Sequence, residues 1–401
     1  MTCQIQTRCR LCQGDMTTII NLGQQALAGQ FPAEGEPTPP VFPLELARCL
    51  SCDLVQLRHT VDPELMFRDY WYRSGVTATM RMHLGSVAEQ AVQLLNRRPE
   101  SVLDVGGNDN TLLMSLPVSI PHRVSVDPCS VPRQGEEILN VQGFFPKALE
   151  EQKSRWPFDI IFSIACLYDS DDPLAFATAV RERLSPGGIW VLEVADFQSM
   201  LHNVTYDSIC HEHLLYFTEN TLAMLLMRAN FRLLKLERTM TNGGSLLAFA
   251  TPGDCDEYVP RDDTLDMLCR RFAKNVERHR AELFSRLQTY LNFHDVVHLL
   301  GASTKMNTVL QYCGIDRNYV QAASDRDPRK CGRRTPGTDI PILSEEASRS
   351  QQPHVYLVGP WHFRSELVER EGGFLKGGGR LLFPMPRVEE VRNGKGFGGP
   401  A

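Results

Sequence analysis

The sequence predicts an α/β protein in three parts: a small cysteine-rich N-terminal lobe, then two domains each built on a parallel sheet. Three observations carry this. Two Cys-x-x-Cys pairs, Cys9/Cys12 and Cys49/Cys52, stand close to the N-terminus. From Ser101 short β-branched runs (SVLDV, RVSVD, FDIIFSI, IWVLEV) alternate with helical segments, the pattern of parallel strands joined by crossover helices. From Val296 the alternation starts afresh, through VVHLLGASTK, YVQAASD, HVYLVGPW and GRLLFPMP. The expected divisions are 1–68, 69–258 and 259–401.

Composition bounds the function. A chain of 401 residues suits two or three domains of ~100–200 residues each. Hydrophobic residues at 42% and charged residues at 22% suit a globular protein with a substantial core. The net charge of −6 argues against a broad electrostatic hold on nucleic acid. No apolar run approaches the ~18–20 residues of a membrane span. The opening MTCQIQTRCRLCQ lacks the basic-then-apolar order of a secretory signal. The expectation is a cytoplasmic monomer or homodimer with no nucleic-acid or membrane partner. Thiols stay reduced in that compartment, so the twelve cysteines read as metal ligands and buried singles rather than disulfides.

In the first lobe, a two-residue gap lets both sulfurs of a pair face one ion. Cys9, Cys12, Cys49 and Cys52 together fill a zinc tetrahedron, with Zn–S near ~2.3 Å. No position is left open for water, so the ion is structural and supplies folding free energy to a lobe with little core. Four unrelated buried cysteines, or a ribbon for nucleic acid, are the alternatives; the repeated spacing disfavours the first and the net charge the second. Between the pairs, PAEGEPTPPVFP (32–43) reads as an extended loop. The stretch VDPELMFRDYWYRSG (61–75) is rich in aromatics, with Tyr70, Trp71 and Tyr72 consecutive, and 77–97 has helical apolar spacing.

The second domain opens on VLDVGGNDNTLL (102–113), a strand, a tight turn and a helix start. Gly106 and Gly107 let the backbone turn and approach a ligand, and Asn108, Asp109 and Asn110 can cap the helix. The glycine spacing is not the one that brings a pyrophosphate to a helix N-terminus, which disfavours a dinucleotide. Asp127, at the end of the next strand, can accept ribose hydroxyls. LSPGGIWVLEV (184–194) reads as a helix end, a turn and a strand. In this order the features point to a class I methyltransferase (Rossmann-like) domain using S-adenosylmethionine. Two strand-like runs, FRLLKLER (231–238) and SLLAFAT (245–251), suit its antiparallel finish. A polar helix over about 264–293 leads to the second Rossmann-like domain, and GKGFGGPA at the C-terminus reads as a loose tail.

CHEHLLYFT (210–218) resembles the Y-x-E-H-x-x-Y-F motif of nucleotide-sugar carbon methyltransferases. The resemblance extends over almost the whole chain: both cysteine pairs, LVQL (54–57), YWYRSGVTATMRMH (70–83), TNGGSL (241–246), GASTKMNTVLQYCGI (301–315), SDRDPRKCGRRTPGTDIPI (324–342) and GPWHF (359–363). It implies a TDP-linked 4-keto-deoxysugar substrate, of the kind used in antibiotic biosynthesis. A base removes the hydrogen on the carbon next to the keto group, and the resulting enolate attacks the sulfonium methyl. It implies His213 as that base, with an ordinary pKa near ~6.5 suited to neutral pH. Glu212 is the motif acid and orients a ring or the sugar.

The chain departs from the family pattern at three places. Cys210 stands where the motif has tyrosine, with His211 beside it to restore some polarity. SIACLYDSDD (163–172) replaces an asparagine-to-histidine stretch, and Tyr168 is placed to supply a hydroxyl. Asn242 stands where histidine is common. These departures motivate a second reading, methylation of another activated ketone or of a hydroxyl. A third is an inactive zinc-containing scaffold. Tyr72 is the aromatic expected at the cofactor by family position. Lys305 and Asn307, after a strand and a glycine turn, are expected to meet the substrate diphosphate. The remaining cysteines, Cys255 among them, read as packing residues.

Overall fold

The computed structural model describes residues 3–151, 157–254, 261–393 and 395–398. Two compact units emerge, each assembled from separate stretches of chain. The first comprises 1–17, 47–199 and 212–263; the second comprises 18–46, 200–211 and 264–401.

The first unit carries a seven-stranded sheet. Its spatial order is Phe231–Thr239, Ser245–Pro252, Leu184–Ala195, Phe158–Ile164, Ser101–Val105, His122–Asp127 and Leu139–Gln142. The five strands from Ser101 to Ala195 run parallel, and Ser245–Pro252 inserts antiparallel beside Leu184–Ala195. The interior strands are buried along their length, as a sheet covered on both faces requires. Val102, Ile160, Phe162, Val191 and Phe249 pack with Leu84, Val87, Ala88 and Ala91 of the helix Ala78–Leu95. Thr77 caps that helix by accepting from Met80 N at 3.3 Å, and Asn96 closes it in the left-handed region. The strand Leu139–Gln142 was not expected: it is a short edge strand in which Val141 is the buried residue.

The second unit has its own seven-stranded sheet, in the order Ile342–Ser344, Ala322–Asp325, Val297–Leu300, Val355–Val358, Arg380–Phe383, Glu389–Arg392 and Lys395–Gly398. The first five positions are parallel and the last two antiparallel. The expected helix over about 264–293 is Leu265–Asn292. The expected loose tail is corrected in part: Lys395–Gly398 pairs with Glu389–Arg392, continuing the alternation of a hairpin. Residues 394 and 399–401, like Cys255, lie outside the described residues.

The contact-based division differs from the three-part reading in where it puts two segments. Residues 18–46, between the cysteine pairs, pack with the C-terminal sheet's unit. Gln311 mimics a strand edge there: its Oε1 accepts from Ala26 N at 2.7 Å and its Nε2 donates to Ala26 O at 3.2 Å. Arg333 donates to Phe31 O at 2.8 Å, and Lys330 sits over the Phe31 ring. Residues 200–211 join the same unit through Tyr206, whose hydroxyl meets His279 Nδ1 at 3.0 Å, and Asp207, which accepts from Trp361 Nε1 at 2.7 Å. These are saturated polar contacts between segments far apart in sequence, and local pattern carries no trace of them.

Candidate active site and zinc centre

The two cysteine knuckles converge. The Sγ atoms of Cys9, Cys12, Cys49 and Cys52 all lie within 4.8 Å of one another, and among the described residues this is the cluster able to hold a metal. Backbone amides point at the sulfurs: Leu11 N donates to Cys9 Sγ at 3.4 Å, and Ser51 N and Cys52 N donate to Cys49 Sγ at 3.3 and 3.4 Å. Gly14 is needed beside them, because a Cβ there would meet Ser51 Oγ at 2.5 Å and Cys49 Sγ at 3.1 Å. Four thiols this close cannot all ionise unaided. Their mutual hydrogen bonds hold Cys49 down and push Cys9 up to about 12, with Cys52 also raised. A divalent cation resolves that conflict, so the donor set fits a closed Zn²⁺ site.

One residue inside the first knuckle reaches the neighbouring domain of the same unit. Arg10 is buried and donates from Nε to Asp171 at 2.9 Å, from Nη1 to Leu57 O at 2.5 Å and from Nη2 to Thr60 Oγ1 at 2.7 Å. Asp171 belongs to the loop after the fourth parallel strand, which also carries Tyr168 and Asp169. That loop bends sharply, with Ala165 at φ 56°, and ends where Asp172 caps the helix Pro173–Arg183.

The glycine turn follows the first parallel strand. Gly106 has φ +74°, and a Cβ on it would meet Cys166 Cβ at 2.9 Å. Gly107 was expected to let a ligand approach; instead its missing Cβ makes room for Ser125 Oγ, which would lie 2.3 Å away. The polar run beyond it is largely engaged. Asp109 Oδ1 accepts from Thr111 Oγ1 at 2.6 Å, and Asp109, rather than Asn110, supplies the side-chain bond at the helix start. Asn108 Oδ1 accepts from Ser74 N, Asn108 Nδ2 donates to Tyr72 O, and Asp109 Oδ2 accepts from Gly75 N at 2.9 Å. The turn thus holds the 72–75 segment in place. Tyr72 leaves 44% of its surface open, yet enclosure among neighbouring atoms, with the Asp109 carboxylate nearby, pushes its phenol up to about 12.

Asp127 accepts from Asn108 N at 2.8 Å and from Cys129 N at 2.7 Å. A carboxylate offers about four lone-pair sites, so two remain for hydroxyl donors. Asp104 is buried below the turn; burial, then Asp127 and Asp109, hold its carboxyl well above the usual range. The Asp109 and Asp127 carboxylates around one turn repel a pyrophosphate and favour a ligand carrying positive charge. S-adenosylmethionine, with its sulfonium and ammonium, fits.

The motif residues divide. His213 lies edge-on to Tyr168, ring centroids 4.6 Å apart, and is partly open rather than sealed in hydrocarbon. Tyr168 follows Cys166, the residue against Gly106, so His213 stands at the glycine-turn end of the sheet. Glu212 is buried beside Asp169. His211, expected to make up for the missing phenol, is otherwise employed: its Nε2 meets Phe42 O at 3.2 Å and its ring packs edge-on to Phe42. Cys210 is buried. In the second unit, Lys305 Nζ donates to Ser208 Oγ at 3.3 Å, beside His362 at the C-terminal ends of the parallel strands. Asn307 was expected at a substrate diphosphate. It is fully buried, and its Nδ2 donates to Ala28 O at 2.7 Å, which makes it a rivet for the 18–46 segment.

Two features escaped the sequence reading. Glu193, at the end of the fifth parallel strand, is buried and joined to His83 Nε2 at 2.7 Å, with Thr239 Oγ1 donating to its other oxygen at 2.8 Å. Asp169 is the other; the sequence reading singled out its neighbour Tyr168 as a hydroxyl and passed over the acid beside it.

The chain matches three family models in succession. These are a zinc binding domain over residues 9–67, a methyltransferase domain over 80–236 and a C-methyltransferase C-terminal domain over 240–386. It is 27% identical over 406 residues to the C-methyltransferase NovU of Streptomyces niveus, covering 96% of each chain. Among solved structures, a 1,6-didemethyltoxoflavin-N1-methyltransferase of Burkholderia thailandensis aligns over 51% of this chain and 98% of its own, at 19% identity and a TM-score of 0.34. An S-adenosylmethionine-dependent methyltransferase from Clostridium acetobutylicum aligns over 43% of this chain and 92% of its own, at 13% identity and a TM-score of 0.34. No helix among the described residues is long and apolar enough to cross a membrane. With a four-cysteine cluster, an acidic glycine turn and all three domain models in order, the chain is an S-adenosylmethionine-dependent methyltransferase with an N-terminal zinc-binding domain and a C-methyltransferase C-terminal domain.

Proposed function

We propose that this enzyme methylates the carbon next to the keto group of a TDP-linked 4-keto-deoxysugar. The observation that carries the reading is His213, a partly open imidazole edge-on to Tyr168 at the glycine-turn end of the sheet. The substrate carbonyl acidifies the neighbouring C–H, and His213 removes that proton. The electron pair moves onto the carbonyl oxygen as an enolate, and the carbon then takes the methyl group. S-adenosylmethionine, when bound, supplies an electrophilic methyl on sulfur. Asp127 has lone pairs left for the cofactor ribose, and Tyr72 is the aromatic beside the cofactor. Lys305 offers a cation for the diphosphate. Tyr168 fixes the plane of the His213 ring.

We place the enzyme in the cytoplasm, as a monomer or homodimer acting on a small molecule. A set of TDP-4-keto-deoxysugars offered with methyl-labelled S-adenosylmethionine tests the substrate class. The expected product carries the label on carbon three. Label on oxygen, or on a non-sugar ketone alone, favours the second reading suggested by Cys210 and Asn242 and overturns this one.

A further inference from the structure

We propose that Asp169 and Glu212 form a carboxyl pair that retains one proton and presents a single negative charge beside His213, with Asp169 as the protonated, positioning member. The geometry starts with the loop after Phe158–Ile164. Its 3-10 turn, Leu167–Asp169, sets Tyr168 against the His213 ring and turns the next side chain, Asp169, inward. Asp169 Oδ1 is buried and meets no hydrogen-bond partner among the described residues. No cation among them pairs with it; the Arg10 guanidinium is committed to Asp171, two positions on. The charged group facing Asp169 is Glu212, from the motif segment, itself buried. Burial first and Glu212 second hold the Asp169 carboxyl well above the usual carboxylate range.

Two carboxyl groups sharing a desolvated site cannot both ionise, so their protons leave in two widely separated steps that belong to the pair. Between those steps the pair carries one proton and one charge. That state suits the chemistry proposed for His213, on which this inference rests. When the imidazole takes the substrate proton it becomes a cation, and a single neighbouring negative charge stabilises it. A doubly charged pair would hold the imidazole protonated beforehand and remove the base. A neutral pair would leave the cation without a partner. Asp169 therefore acts through Glu212 and His213.

The test reads the proton directly, on the full-length zinc-loaded enzyme without substrate, so it stands or falls separately from the substrate assignment. Infrared difference spectra are recorded across a pH titration for wild type, Asp169→Asn and Glu212→Gln. Asp104 is held up by burial as well, so the reading is a difference: wild type minus Asp169→Asn is expected to contain the carbonyl stretch of a neutral carboxylic acid at pH 7. In Glu212→Gln the like charge is gone, and the band should titrate away at least about one pH unit below the wild-type position. Because both substitutions are near-isosteric, either variant alone suffices if the other does not fold. The proposal is overturned if the wild-type minus Asp169→Asn difference contains no neutral-acid band at pH 7, or if Glu212→Gln leaves the titration of that band where it was. As a functional readout, the alkaline limb of the pH–kcat profile should move in Asp169→Asn while KM for the cofactor holds within about threefold. An unmoved limb assigns Asp169 to packing alone.

Discussion

Replacing Arg10 with alanine tests whether the zinc knuckle positions the loop that carries Tyr168 and Asp169. The side chain makes three hydrogen bonds: to the Asp171 carboxylate, to Leu57 O and to Thr60 Oγ1. All three bonds come from an ionised guanidinium, for which a buried bond contributes about 1.5 kcal/mol or more. Asp171 is half exposed, so water screens its share to near zero. The two bonds to Leu57 O and Thr60 Oγ1 together give about 3 kcal/mol. Local opening of the loop should become easier by part or all of that amount, which at 1.4 kcal/mol per decade is about a hundredfold faster amide exchange at most. Hydrogen exchange read by mass spectrometry over residues 165–172 is the assay, with zinc content measured on the same sample. Exchange about 10- to 100-fold faster in that loop, with zinc still bound, is the expected result. Arg10→Lys keeps the charge without the planar fork and should fall between. Unchanged protection of 165–172 in a zinc-loaded Arg10→Ala protein would refute the argument.

Other substitutions read other parts of the account. The protein as isolated should hold about one zinc per chain, and Cys52→Ser should lose it together with the cooperative unfolding of the N-terminal lobe; full zinc occupancy in that variant would count against the four-thiolate centre. Gly107→Ala forces a methyl group into Ser125 Oγ and should cost about 1–3 kcal/mol in thermal unfolding, and Ser125→Gly in the same chain should restore most of it. Asp127→Ala should weaken S-adenosylmethionine binding by about tenfold or more in calorimetry, since it removes the ribose acceptor and frees the Asn108 and Cys129 amides. Burial holds His279 and His298 below the usual imidazole range and takes His362 down to about 3. The unfolded chain therefore binds more protons than the folded one below about pH 6.5, so this unit should lose stability as pH falls from 6.5 toward 4. Denaturant midpoints that stay flat across that range would contradict it.

Much of this was legible in the sequence, for physical reasons that can be named. The cysteine spacing implied converging sulfurs because a two-residue gap leaves little other geometry, and the sulfurs do converge. Strands buried on both faces left continuous apolar runs, so Ser101–Val105, Phe158–Ile164 and Val355–Val358 were visible. Leu139–Gln142 was not, because a four-residue edge strand needs only one inward side chain. Gly107 was read as a ligand contact since a missing Cβ looks the same whether it clears a ligand or Ser125. The structural partners of Asn307 and His211 were hidden for a related reason. Both sit in the right segment, yet adjacent residues on a helix or turn face different ways, and the carbonyls of Ala28 and Phe42 that engage them are remote in sequence. Asp169 went unnoticed because its significance is burial next to another acid, which only the folded arrangement reveals.

The central claim is that His213 removes a proton from carbon three of the ketosugar, and isotope exchange tests it most directly. The enzyme, loaded with S-adenosylhomocysteine to prevent methyl transfer, is incubated with the TDP-4-keto-deoxysugar in deuterium oxide and the sugar is read by NMR. Wild type is expected to wash deuterium into carbon three, and His213→Asn to slow that exchange by about 100-fold or more while still binding cofactor. Exchange that persists at the wild-type rate in His213→Asn would contradict the account.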